Sequence, residues 1–176
     1  MKSVLRSIKP YWLYCIIIGK KTIEVGKDFP KADDWDKVTF LYCSKDKKSF
    51  NRIPEKDREW MRKYLGKVAC KFVCDKISEM SGECAIYHTV GTCLKPTEIA
   101  DYIADKHAYY WHITDLKIYD KPRELSEFYT FKKCRSCESG YESTACIYDE
   151  DCRVPSPITR PFQSWGYVES EENDGT

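Results

Sequence analysis

The chain has 176 residues, 42% of them hydrophobic and 14% aromatic, with 29 Lys+Arg against 28 Asp+Glu for a formal net charge of +1. That aromatic content excludes an intrinsically disordered chain and is ample for one hydrophobic core. The longest apolar run, Tyr11 to Gly19, is nine residues, against the roughly 20 needed to cross a bilayer, so no spanning helix is expected.

Val4 to Ile8 alternates and reads as a first strand. Pro10 suits the first turn of a helix, and Tyr11 to Ile18 is apolar almost all round, which predicts a buried helix ending at Gly19. Lys20-Lys21 stands where a signal peptide would need a small-residue cleavage site, so a cytoplasmic protein is expected. Thr22 to Val25 reads as a short strand, Gly26 to Trp35 as a polar loop, and Lys37 to Cys43 as a central strand. Ser44 to Ser49 is lysine-rich and loop-like. Pro54 to Leu65 carries Trp60, Met61, Tyr64 and Leu65 at helical spacing, with Gly66 as the stop.

Lys67 to Met80 suggests one long strand with a bulge, Cys84 to His88 a further strand, and Pro96 to Ala104 a short amphipathic helix. Tyr109 to Tyr119 is a third long β pattern, and Ser164 to Val168 can be a closing strand. Five to seven strands against three short helices point to an α+β fold, either a mixed sheet with helices outside or a small closed barrel. Residues 1–168 are expected to form a single domain, with a cysteine-rich insert at 132–153 and an acidic, disordered tail at 169–176.

Ten cysteines divide by spacing. Cys134 and Cys137 form a C-x2-C pair, and Cys146 and Cys152 follow in a stretch with little apolar surface. Four thiolates here suit a structural Zn2+ with no open coordination position, while free thiols and disulfides remain alternatives. Cys15, Cys43, Cys70, Cys74, Cys84 and Cys93 lie among apolar neighbours and read as small buried hydrophobes.

Charge is also divided. Residues 1–100 carry a net +7 and residues 101–176 a net −6, which allows a basic face on a nearly neutral protein. Within the basic half, Gly19-Lys20-Lys21-Thr22-Ile23-Glu24 follows the first helix, and Lys9 comes near it if the helix folds back on its strand. That would make a cationic site holding one carboxylate and one hydroxyl.

Ser7-Ile8-Lys9-Pro10, then Gly-x-Lys-Thr-x-Glu at 19–24, and Arg160-Pro161-Phe162-Gln163-Ser164-Trp165 near the end resemble the ASCH domain family of the PUA-like superfold. The resemblance runs from about Lys2 to Val168, and the cysteine insert is similar to that of a zinc-containing subset. It implies a PUA-like β-barrel of five to seven strands whose cleft beside the first helix accepts RNA or a nucleotide. It further implies that Lys9, Lys21, Thr22 and Glu24 line that cleft and that Gln163, Ser164 and Trp165 close it.

Two departures stand out. The family pattern continues Glu-x-Arg, whereas Gly26-Lys27 stands there in this chain, so its planar guanidinium is missing. The amidohydrolase branch is implied to use a threonine nucleophile at the position of Glu24, a role a carboxylate cannot take.

The first expectation for function is a nucleic-acid-binding protein, with RNA as the partner. Lys9, Lys20, Lys21 and Lys27 would attract phosphates and Trp165 would lie near a stacked base. The alternative is a small hydrolase acting on a modified nucleoside or RNA, with Lys21 and Glu24 as a charge-coupled pair and Thr22 as a further candidate. A third reading is an adaptor that binds protein through the acidic half. His88, His107 and His112 are scattered and read as structural. Lys45, Lys47, Lys48 and Arg52, flanked by Tyr42 and Phe50, form a basic loop able to contact phosphates, though a solvated loop is the simpler reading.

Overall fold

The computed structural model describes residues 2–31, 35–104, 107–133 and 153–170. Strand β1 (Lys2–Ile8) places Val4 and Ile8 in one apolar cluster and Leu5 in another, as period-two alternation requires. Helix α1 (Pro10–Ile17) opens on Pro10, where a missing N–H costs nothing. Gly19 ends it at φ +74°, a conformation only glycine adopts freely, with its N–H on Ile16 O. The N–H groups of Lys20 and Lys21 both donate to Cys15 O, so this cap turns the chain directly into β2 (Ile23–Gly26).

Strand β3 (Trp35–Cys43) then lies parallel to β1, with Arg6 opposite Leu41 and Ile8 opposite Cys43. A parallel pair needs a crossover, and α1 with β2 supplies it. A helical turn, α2 (Lys47–Phe50), is capped by the Asp46 carboxylate, which accepts from Ser49 N at 2.8 Å. That cap makes a turn of helix where a lysine-rich loop was expected. Helix α3 (Glu55–Met61) follows and runs on as a 3-10 turn to Tyr64.

The remaining elements are β4 (Val68–Val73), β5 (Ile77–Met80), α4 (Gly82–Ala85), α5 (Pro96–Ile103), β6 (Ala108–His112), β7 (Thr114–Arg123), β8 (Phe128–Lys133), β9 (Arg153–Pro157) and β10 (Trp165–Ser170). They pair as a seven-stranded sheet, β7-β4-β3-β1-β10-β8-β9, and a three-stranded sheet, β2-β6-β5.

The class is α+β, as the sequence indicates, but the described strands do not close into a barrel. Each of two long β patterns breaks where the chain passes from one sheet to the other. The first parts at Cys74–Lys76, where Cys74 N donates to Lys37 O and His112 N to Lys76 O. The second parts at Ile113, whose N–H donates to Thr22 O, just before Asp115 at φ +46°. Alternation is kept on both sides of each break, so periodicity alone reads through it. The strand expected at Cys84 to His88 is instead the turn α4, with Ala85 buried and its carbonyl accepting from Tyr110 Oη at 2.8 Å.

The main core lies between β1, β3, β4 and the helices α1 and α3, around Val4, Leu13, Ile16, Leu41, Met61 and Phe72. A second cluster, including Leu5, Phe40, Val68 and Phe128, covers the other side of the large sheet. Cys15, Cys43, Cys70 and Cys74 are buried free thiols, whereas Cys84 is exposed and Cys93 half-buried, which corrects the expectation for those two. Cys84 sits on the one-turn α4, with no second layer over it.

Strands β8 and β9 pair antiparallel, with Lys133 opposite Arg153. The proposed metal ligands Cys134, Cys137, Cys146 and Cys152 lie outside the described residues, as do residues 171–176. Strand β10 runs to Ser170, two residues into the segment read as tail, because Glu169 and Ser170 pair with Tyr129 and Phe128. Among the described residues no helix is long and apolar enough to cross a membrane.

Candidate functional site

A cleft of about 680 Å3 opens between the end of β1, α1, β2, α2 and the start of α5. Five of the nine residues expected from sequence to form the cationic site line it: Lys9, Lys21, Glu24, Gln163 and Ser164. Pairing of β1 accounts for the last two. Ser7 N donates to Ser164 O at 2.9 Å and Ser7 Oγ to Phe162 O, which holds residues 162–164 against the cleft.

Lys21 is the most constrained of the five. Its side chain is 1% exposed, and Nζ donates to Ile23 O at 2.8 Å and Thr92 O at 2.7 Å and meets Glu24 Oε2 at 3.1 Å. An ammonium has three protons, so these three acceptors use all of them. The Gly19 cap puts Lys21 here, since it fixes the backbone of Lys20 and Lys21 against Cys15 O. Glu24 sits between two cations, with Oε2 toward Lys21 and Oε1 3.5 Å from Arg6 Nη2. This buried pairing is the arrangement that lets charges leave water without a large net cost.

Four residues named from sequence do not line the cleft. Lys20 and Thr22 are exposed on the turn leading into β2. Lys27 is exposed and places Nζ 4.7 Å from the ring centre of Tyr102, which itself lines the cleft. Trp165 is half-buried on β10, where its indole N–H donates to Asp28 Oδ1 at 2.7 Å and its ring packs against Trp111 and Tyr167. Its indole therefore anchors the 26–31 loop.

Of the basic loop, Lys48 and Arg52 face the cleft. The aromatics expected beside them do not, because Tyr42 and Phe50 belong to the buried core. The aromatic wall comes instead from α1: the Arg52 guanidinium lies 4.1 Å from the ring centre of Tyr11 and 4.6 Å from that of Trp12, and Arg52 Nη2 meets Glu98 at 3.3 Å. Lys9 meets Asp46 at 3.9 Å. Close behind this wall, burial first and then neighbouring Cys93 push the Cys15 thiol up to about 11.

Sequence reading passed over Arg6. It is 3% exposed, lies on the same face of β1 as Val4 and Ile8, and lines the cleft floor. Nη2 donates to Val25 O at 3.0 Å, and the guanidinium stands 4.9 Å from the ring centre of Trp111. The signal available was a charged residue on the inward face of an otherwise apolar strand. The histidines are placed structurally: His107 pairs with Glu79, His112 Nε2 lies 3.2 Å from Ser78 Oγ, and His88 is exposed.

No protein-family model matches the chain, and no curated protein matches it. Solved structures do. The ASCH protein from Zymomonas mobilis is 14% identical, with 96% of this chain and 88% of that one covered at a TM-score of 0.58. A serine-to-alanine variant of that protein gives 15% identity, coverage of 96% and 89%, and the same TM-score. A tyrosine-to-phenylalanine variant gives 15%, coverage of 71% and 77%, and 0.53. The chain has an ASCH-type, PUA-like fold.

Proposed function

We propose that this chain is an ASCH domain protein that binds single-stranded nucleic acid, RNA in the first place, in the cleft beside α1. The observation that carries the reading is the composition of that cleft. Lys9, Lys48, Arg6 and Arg52 share it with the rings of Trp12 and Tyr102, and such a mixture suits phosphates together with a stacked base. The ASCH-type fold supports the same reading. Arg52, held over Tyr11 and Trp12, extends the stacking wall with a second planar group.

The hydrolase alternative asked Lys21 to stabilise developing charge. Its protons are already committed to Ile23 O, Thr92 O and Glu24, and this weighs toward binding. Thr22 is exposed and is not among the cleft residues. We further propose a structural Zn2+ on Cys134, Cys137, Cys146 and Cys152, and a cytoplasmic location, which suits the six free thiols of the described residues.

Fluorescence anisotropy with labelled single-stranded RNA of mixed sequence tests the binding reading. The expected result is saturable binding at 50 mM salt that weakens steeply by 200 mM. Equal and negligible binding at both concentrations overturns it.

A further inference from the structure

We propose that the cleft floor is a phosphate-monoester site and that Arg6, not Lys21, is the cation that contacts it. The inference rests on reading the cleft as a nucleotide site and names the group that enters deepest.

The argument begins with charge. Three carboxylates line the cleft among the described residues: Asp46 is met by Lys9 at 3.9 Å, Glu98 by Arg52 at 3.3 Å, and Glu24 by two cations, Lys21 at 3.1 Å and Arg6 at 3.5 Å. With Lys48 the cleft holds five cations against three carboxylates, an excess of two positive charges. Lys48 is exposed, and water screens it; Arg6 is 3% exposed and has no such relief. Its approach to Glu24, at 3.5 Å, shares a carboxylate that Lys21 already holds more closely. A buried positive charge without its own counter-ion is costly, and an anion in the cleft removes that cost.

Hydrogen bonding points the same way. Arg6 Nη2 is engaged by Val25 O and Glu24 Oε1, while Nε and Nη1 are buried with no hydrogen-bond partner, so the side chain turns toward the cleft before either donor meets a ligand. Guanidinium is a planar fork of five N–H donors, and phosphate oxygens satisfy such a fork in pairs. Lys21 has no proton left to offer. A phosphate monoester carries about −1.5 to −2 at neutral pH, which matches the cleft's excess of two positive charges, whereas an internal phosphodiester carries one charge and needs the chain to leave the floor in two directions. The matching ligand is therefore a mononucleotide or the phosphorylated end of an RNA strand. Inorganic phosphate shares the chemistry but lacks a ring for the Trp12 and Arg52 wall.

The test compares one eight-nucleotide RNA in three forms, with a 5′-phosphate, a 3′-phosphate or hydroxyls at both ends, by anisotropy against the native protein. Inorganic phosphate serves as a separate competitor. One terminally phosphorylated form is expected to bind about ten-fold more tightly than the hydroxyl form, the scale of one hydrogen bond to a charged group. In Arg6→Gln the ratio of affinities between the phosphorylated and hydroxyl forms is expected to fall to about one, whatever the variant's overall affinity, and Arg6→Lys recovers only part of that ratio. Inorganic phosphate at millimolar concentration is expected to compete away the increment and nothing more.

If all three RNAs bind the native protein equally, the phosphate site is overturned and the general RNA reading stands. If nucleoside monophosphates bind but no RNA does, the RNA reading fails and the phosphate site stands. If neither binds, both fall. The comparison among ligands uses the native protein and so decides the matter even where Arg6→Gln does not fold.

Discussion

Gly26 and Arg6 occupy one space: a Cβ built on Gly26 would stand 3.1 Å from Arg6 Nη2 and 2.9 Å from Trp111 Nε1. A side chain at position 26 therefore requires the Trp111 indole to shift and the Arg6 guanidinium to give by a few tenths of an ångström. Gly26→Ala is accordingly expected to destabilise the protein by about 1–3 kcal/mol, because Trp111 is fully buried and has nowhere to move. Urea denaturation measures this, and an unchanged midpoint would contradict the packing described.

Removing the Lys21 ammonium leaves Glu24 Oε2 and two carbonyls without their donor. Lys21→Met is expected to cost about 3–5 kcal/mol, the usual penalty for breaking a buried pair from one side. Adding Glu24→Gln to that variant should recover part of the loss, since the stranded carboxylate goes with it. If the double variant is less stable than Lys21→Met by the full single cost of Glu24→Gln, the two side chains are not coupled.

Rim cations act through ion release. Lys9 and Lys48 both line the cleft and are exposed. Lys48→Gln is expected to lower the slope of log affinity against log salt for single-stranded RNA by roughly 0.7, the contribution of one phosphate contact. Lys9→Gln should lower it less, because Asp46 already meets Lys9. Titrations at four salt concentrations give the slopes, and unchanged values would remove both residues from the interface.

Thiol reactivity follows burial. Cys43 and Cys70 are pushed from the ordinary value of 9.0 up to about 12 by burial, so at pH 8 they stay protonated and shielded. Brief alkylation of the native protein with peptide mapping is expected to modify Cys84 and to spare Cys43 and Cys70. The sign for stability follows. These thiols stay protonated in the folded chain at pH values where the unfolded chain ionises, so the stability they contribute is intact below pH 9 and declines as pH rises from 9 toward 12. A denaturation midpoint that rises between pH 9 and pH 11 would contradict this.

Metal content tests the insert separately. Protein purified reduced and without chelator is expected to carry close to one zinc per chain, and substituting Cys134 and Cys137 by serine together should abolish it. Absence of zinc from the native protein removes the four-thiolate proposal and leaves the cleft untouched.

The sequence by itself determined the elements that rest on local rules. Pro10 and Gly19 bounded α1, Pro96 opened α5, and alternation in Val4 to Ile8 and Lys37 to Cys43 marked two strands that became neighbours. It also drew Lys9, Lys21 and Glu24 together around the turn after the first helix, and the family resemblance implied Gln163 and Ser164 beside them; all five line one cleft. Tertiary structure alone decided where the long β patterns break, because a chain crossing between sheets at Cys74–Lys76 and Ile113 keeps its alternation on both sides. It alone decided the charge roles as well. Whether a cation is free depends on which carbonyls and carboxylates fold around it. Lys21, conspicuous in sequence, is spent on Ile23, Thr92 and Glu24, while Arg6, hidden in an apolar strand, lines the cleft with Nε and Nη1 buried and unpaired.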